Sequence, residues 1–181
     1  MKDWSSDLIE QTRVAVRGDP FWKEYLEVAL KEGTGIRSIH LAVFIEPYLK
    51  FILKGEKTIE SRFSSRLQPP YKRIHKGDIV LLKKSSSYVY GICRASDVWF
   101  YELEPKTWKD IKSKFSKAIC PATSDFWAQR DHALFATLIR IRDVLKLNPI
   151  SCRKKDRRGW VVLNVGLGDR KSRHDRCGTL F

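Results

Sequence analysis

The feature that most constrains this chain is a change of hydrophobic period at Ser38. Before it, apolar residues recur at helical spacing; after it, they alternate or gather in short β-branched blocks. Residues 5–17 place Leu8, Ile9, Thr12 and Val16 on one helix face, with Ser5 or Ser6 available as the N-cap. A second helix is predicted from Pro20. Asp19 is a good cap, proline suits the first helical position, and Gly33 follows the end. Phe21, Tyr25, Val28 and Ala29 form its expected apolar stripe, and "GTGIRS" reads as a linker.

Beyond Ser38, "SIHLAVFI", "KTIESRF", "DIVLLKK", "YVYGICRASDVWFY", "HALFATLIRIRDVLKL" and the end of "RKKDRRGWVVLNV" read as strands. "EPYLKFILKG" is a short predicted helix, with Pro47 early and Gly55 beyond its end, and residues 105–131 are predicted helical with a break near Pro121. Short strands with inserted helices predict an α+β chain: a small, mostly antiparallel β-barrel flanked by helices, with an N-terminal helical extension. Residues 1–37 form that extension, 38–165 the barrel domain, and 166–181 a basic polar tail.

At 181 residues and 43% hydrophobic content, the chain suits one domain with a real core. Its formal charge of +14 favours anionic partners, nucleic acid above all. No apolar run approaches the length of a membrane span, and the charged N-terminus is unlike a secretory signal, so no membrane association is expected. The cysteines Cys93, Cys120, Cys152 and Cys177 are widely spaced and form no close ligand pairs with each other or with the histidines. We read them as reduced thiols in a cytoplasmic or nuclear compartment, and expect neither a metal nor a cofactor. The basic residues fall in three runs: Lys72, Arg73, His75 and Lys76; Arg153, Lys154, Lys155, Arg157 and Arg158; and Arg170, Lys171, Arg173 and Arg176. Each run could be a solvated loop or a phosphate contact, and "RKKDRR" equally suits nuclear localisation.

The segment "FILKGEKTIESR" sets Lys57, Glu60 and Arg62 within six positions, just after a predicted helix. If residues 58–63 form a strand, Thr58, Glu60 and Arg62 share one face while Ile59, Ser61 and Phe63 take the other. Ile59 and Phe63 need burial. Glu60 and Arg62 then point either to solvent, as a weak surface pair, or into a cleft against the helix 47–54, with Lys57 at its mouth and Tyr48 beside it. A carboxylate next to a guanidinium orients its fork toward a base edge or a phosphate. The aromatics Tyr88, Tyr90, Trp99, Phe100, Tyr101, Phe126 and Trp127 could stack a base or fill the core.

The order strand, "EPYLKFILKGEKTIESR", "HKGDIVLL", "YVYGICRASDVWFYE", with "FW" and "RRGWVVL" later, resembles the ASCH domain, a branch of the PUA-like superfamily, over residues 38–165. The resemblance rests on the pattern G-x-K-x-x-E-x-R followed by a G-D turn into a strand. It implies a β-barrel with a cleft beside its helices, and RNA, DNA or modified nucleobases as ligands. It leaves three functions open. One is a nucleic-acid-binding module in which Tyr48, Lys57, Thr58, Glu60 and Arg62 form the cleft, with Lys72, Arg73, Lys76, Arg153, Lys154, Lys155, Arg157 and Arg158 holding the backbone. The second is a hydrolase of a modified nucleoside or of RNA, with Lys57 and Glu60 as catalytic groups. The branch that deacetylates nucleobases carries K-T-x-T; Lys57 and Thr58 match it, but Glu60 stands in place of the second threonine. The third is a protein-interaction module of transcription or translation, docking through the N-terminal helices.

Overall fold

A computed structural model of the protein describes residues 4–31 and 37–164. Gly33, most of the predicted linker, and the tail with its cations Arg170, Lys171, Arg173 and Arg176 lie outside the described residues. Helices α1 (Trp4–Ala15) and α2 (Pro20–Leu30) form where the helical period was read. The Asp19 side chain caps α2 by accepting from the Trp22 backbone N–H at 2.9 Å.

The buried stripe of α2 differs from the expected one: it is Trp22, Leu26 and Ala29, while Phe21 and Val28 are exposed. Polar handles on the large aromatics decide the rotation. The Trp22 indole N–H donates to the Asp143 carbonyl at 2.9 Å, and the Tyr25 hydroxyl donates to the Gly77 carbonyl at 2.8 Å.

The strands are β1 (Ile39–Phe44), β2 (Ile59–Ser64), β3 (Ile79–Lys84), β4 (Val89–Glu102), β5 (Phe135–Ile150) and β6 (Trp160–Asn164). Helix α3 (Tyr48–Leu53) joins β1 to β2, and α4 (Pro105–Ile119) leads from β4 toward β5. The predicted helical region 105–131 breaks near Pro121 as expected, but little of it is helical beyond that break. Cys120 takes φ 56 and closes α4 onto the Ser116 carbonyl, because Pro121 disfavours the α-conformation in the residue before it. Only a 3-10 turn, Ala128–Arg130, follows.

The sheet runs β2-β5-β4-β3-β1-β6 and curls into a half-barrel. It is mixed: β1 and β3 are parallel and the other four neighbouring pairs antiparallel. Alternation places Ile39, Leu41, Ile79 and Leu81 against α1 and α2, while Ala42, Phe44, Val80 and Leu82 fill the barrel interior. Burial on both faces explains the unbroken apolar run "IVLL" in β3. The N-terminal helices thus share a core with the sheet. A third cluster joins Ile111 and Ile119 of α4 to Ile59 of β2 and Leu138 of β5, which fixes α4 beside the edge strand β2.

The G-D turn has a structural task. The Asp78 carboxylate accepts from the backbone N–H of Ser38 at 2.8 Å and of His75 at 2.7 Å, and lies 3.1 Å from His40 Nε2. Trp160 Nε1 can only donate, and it reaches His40 Nδ1 at 3.1 Å. His40 Nδ1 therefore accepts, and Nε2 carries the proton given to Asp78. This buried chain ties β6, β1 and the start of β3 together.

Candidate functional site

Gly55, at φ +76, turns the chain sharply after α3, and the Lys57 backbone N–H closes on the Phe51 carbonyl at 3.1 Å. The Thr58 backbone then bridges two elements. Its N–H donates to Ala118 at the end of α4, and its carbonyl accepts from Ile141 of β5. From that anchor β2 begins, and strand parity aims Glu60 and Arg62 inward.

The result is a cleft of about 270 Å³ between β2, β1 and α3, bordered by Val43, Phe44, Ile45, Tyr48, Lys57, Glu60, Ser61, Arg62, Phe126 and Arg130. Its floor is a row of charges. Glu60 lies 3.4 Å from Lys57 Nζ through one oxygen and 2.7 Å from Arg62 Nε through the other. The Glu60 side chain is 8% exposed and that of Lys57 2% exposed.

Lys57 therefore occupies the floor and not the mouth. The helix end that holds it belongs to α4 and not to α3. Its ammonium donates to the Ile119 carbonyl at 2.7 Å, where the last carbonyls of a helix carry partial negative charge. Burial pulls its pKa below that of an ordinary lysine, with Glu60 opposing the shift.

Arg62 closes the open side of the half-barrel. From edge strand β2 its guanidinium donates to the Val43 carbonyl of β1 at 3.0 Å and to the Gly159 carbonyl, just before β6, at 3.3 Å. It also lies over the rings of Phe44 and Trp160, at 4.9 and 5.3 Å from their centroids. Its Nε–H is buried beside the Glu60 carboxylate, with one oxygen 2.7 Å from Nε.

Of the cleft residues that were not anticipated, two add an aromatic wall and a cation. Phe126, named only as an aromatic that could stack or fill the core, forms a wall with Tyr48 at a ring separation of 6.0 Å. The Arg130 guanidinium lies 3.7 Å from the centre of the Phe126 ring and donates to the Phe126 carbonyl. Burial lowers the pKa of Arg130, opposed by Tyr48 and Glu60. The only sequence signal was the run "DFWAQR", which has no regular period.

Of the predicted residues, Tyr48, Lys57, Glu60 and Arg62 meet in the cleft, while Thr58 contributes only backbone bonds. Lys72, Arg73 and Lys76 lie on another loop and do not border the cleft; Lys76 sits 3.9 Å from Asp97. Arg153, Lys154, Lys155, Arg157 and Arg158 occupy the loop before β6, which touches the cleft through Gly159. Asp156 pairs with Lys154 at 2.8 Å and with Arg158 at 3.0 Å, so two of these five cations already share one carboxylate. Arg158 first, then Lys154, holds the Asp156 carboxyl well below the usual carboxylate range.

No family pattern matches the chain in sequence, and no curated protein does. Solved structures do match in shape. The chain has an ASCH-like fold, an α+β half-barrel flanked by helices. It is similar to the ASCH protein of Zymomonas mobilis, with a TM-score of 0.55 and 12% identity over 76% of this chain and 94% of that one. Two single-residue variants of that protein give TM-scores of 0.56 and 0.57, also at 12% identity, over 77% and 78% of this chain and 98% and 97% of theirs. Among the described residues no helix is long and apolar enough to cross a membrane.

Proposed function

We propose that the cleft binds one nucleotide of an RNA or a single-stranded DNA. The observation that carries this reading is the buried Lys57–Glu60–Arg62 row at the bottom of a cleft walled by Tyr48 and Phe126. Aromatic walls suit a base face, the Glu60 oxygens can accept from exocyclic amines, and the Arg62 guanidinium can donate to a carbonyl or phosphate oxygen. The cleft volume, about 270 Å³, lies just below the ~300–1,000 Å³ of sites for drug-sized ligands, which suits one nucleotide and not a duplex. Three cations against one carboxylate favour an anionic ligand. Cys93, Cys120 and Cys152 are free thiols, which fits a reducing compartment, cytoplasmic or nuclear.

The test is a titration of nucleoside monophosphates and short single strands across a salt series. We expect log affinity for the strands to fall with log salt at ~0.7 per phosphate neutralised, and Arg62→Met to weaken all ligands about tenfold or more. Binding that Arg62→Met leaves untouched rejects this cleft as the site.

The lowered pKa of Lys57 favours a second reading, hydrolysis of a modified nucleoside or of RNA in the same cleft. Glu60 would take a proton from the attacking water, and the buried amine would orient or protonate the departing group. Incubating the protein with acetylated cytidine and with RNA, followed by mass analysis, tests it. A hydrolase gives product that Lys57→Ala abolishes while binding largely persists; no product from either substrate rejects this activity for both.

A further inference from the structure

Helix α4 presents a cationic face that the fold does not explain. Lys106, Lys109, Lys112, Lys114 and Lys117 are all exposed, and among the described residues none has a carboxylate within ion-pair distance. The helix has one acidic residue, Asp110, which is half-buried and faces Tyr101 closely enough to raise the pKa of its hydroxyl, though less than burial does. Its first turn carries no acid, so Lys106 sits where the helix dipole disfavours a cation, whereas Lys117 lies in the last turn, where it is favoured. Lysines three apart along the face also repel one another. Core packing uses only the opposite side, Ile111, Phe115 and Ile119. Five exposed lysines on one helix, none with a carboxylate in ion-pair reach among the described residues, fit a polyanionic partner better than they fit stability.

This face is continuous with the cleft. The Phe126 wall stands 4.9 Å from Trp127, Trp127 stands 6.2 Å from Trp108 on α4, and Trp108 stacks on Phe63 at 5.1 Å. Lys112 Nζ lies 5.7 Å from the Trp108 ring and 5.8 Å from that of Trp127. The C-terminal carbonyl of α4, at Ile119, holds Lys57 on the cleft floor. Half-buried indoles interleaved with ammonium groups are what a single strand requires, since bases stack on one and phosphates pair with the other. A membrane surface fits less well, because apart from Pro105 the exposed residues of α4 are lysines and a serine, with nothing apolar to insert.

We infer that the lysine face of α4, with Trp108 and Trp127, is the track that holds the phosphate backbone of a single-stranded nucleic acid whose neighbouring nucleotide occupies the cleft. The inference rests on the cleft reading above. It moves the backbone contact from the loops 72–76 and 153–158 to a helix that carried no such assignment.

The test uses the full chain and two triple variants, Lys109→Gln/Lys112→Gln/Lys117→Gln and the charge-keeping Lys109→Arg/Lys112→Arg/Lys117→Arg. Glutamine and arginine are both good helix formers, so each should fold, and thermal melting checks this. Fluorescence anisotropy reads binding of matched 12-nucleotide RNA and DNA strands, and a nucleoside monophosphate reads the cleft alone. We expect the glutamine variant to bind both strands at least tenfold more weakly at low salt, with a salt slope smaller by up to about 2 at ~0.7 per lost phosphate contact. The arginine variant and monophosphate binding should stay as in the parent. Equal strand binding by parent and glutamine variant overturns the track, while loss in Arg62→Met would then still uphold the cleft. Tighter binding of the parent to anionic vesicles or to an acidic peptide than to either strand also overturns it, as does absence of strand binding.

Discussion

Glu60→Ala is expected to destabilise the fold by about 3–5 kcal/mol, measured by urea unfolding near neutral pH. Removing one member of a buried ion pair leaves the other charge uncompensated, and Lys57 is almost fully shielded from water. The ammonium is the source of the cost, so adding Lys57→Met should recover most of the loss. The pH dependence carries a sign. Burial holds the folded pKa of Lys57 below its ordinary value of 10.5, and Glu60 opposes that shift, so the variant lowers it further. Between the folded pKa and 10.5 the unfolded chain binds the extra proton. Stability of Glu60→Ala should therefore climb as pH rises through that window, and more steeply than in the parent. An unchanged urea midpoint would mean that the row is a solvated turn.

Trp22→Ala is expected to cost a similar amount, about 3–5 kcal/mol. The indole is 2% exposed, packs with Leu26 and Leu81 in the cluster shared by α2 and the sheet, and donates to the Asp143 carbonyl. A single unfolding transition shifted to lower denaturant is the predicted result. A loss below 1 kcal/mol would mean that the N-terminal helices are not integral to the core. By contrast Phe21→Ala, at an exposed position, should stay near ±0.5 kcal/mol.

These residues show where local sequence informs and where it stops. The parity of "TIESRF" was legible, because Ile59 and Phe63 need burial and a strand alternates. Parity put Glu60 and Arg62 on one face but left open whether that face met solvent or a cleft. The position of Lys57 was not legible, because its partner is the carbonyl of Ile119, 62 residues on, brought there by the packing of α4 on β2. The β1–β3 parallel pair is equally non-local, and so are the bonds from Arg62 on edge strand β2 to Val43 of β1 and to Gly159, just before the other edge strand β6. Arg130 reaches the cleft only because Cys120 ends α4 in a left-handed conformation, a choice that depends on Pro121 but whose direction no spacing encodes. In α2 both candidate stripes are apolar, and the hydrogen-bond partners of Trp22 and Tyr25 on the sheet decide between them. The basic run "RKKDRR" read as five available cations, yet its single aspartate takes two of them.

The central claim is that Arg62 meets a nucleotide in the cleft, and its side-chain Nε–H is the proton to watch. Its nitrogen lies 2.7 Å from a Glu60 oxygen, and the Arg62 side chain borders the space the base or phosphate would fill. In a protein labelled with ¹⁵N arginine, titration with a short mixed-sequence RNA strand should shift the Arg62 Nε–H resonance saturably, as a ligand oxygen engages the guanidinium and perturbs its pairing with Glu60. Strand binding that moves other arginine signals and leaves Arg62 Nε–H in place would contradict the account.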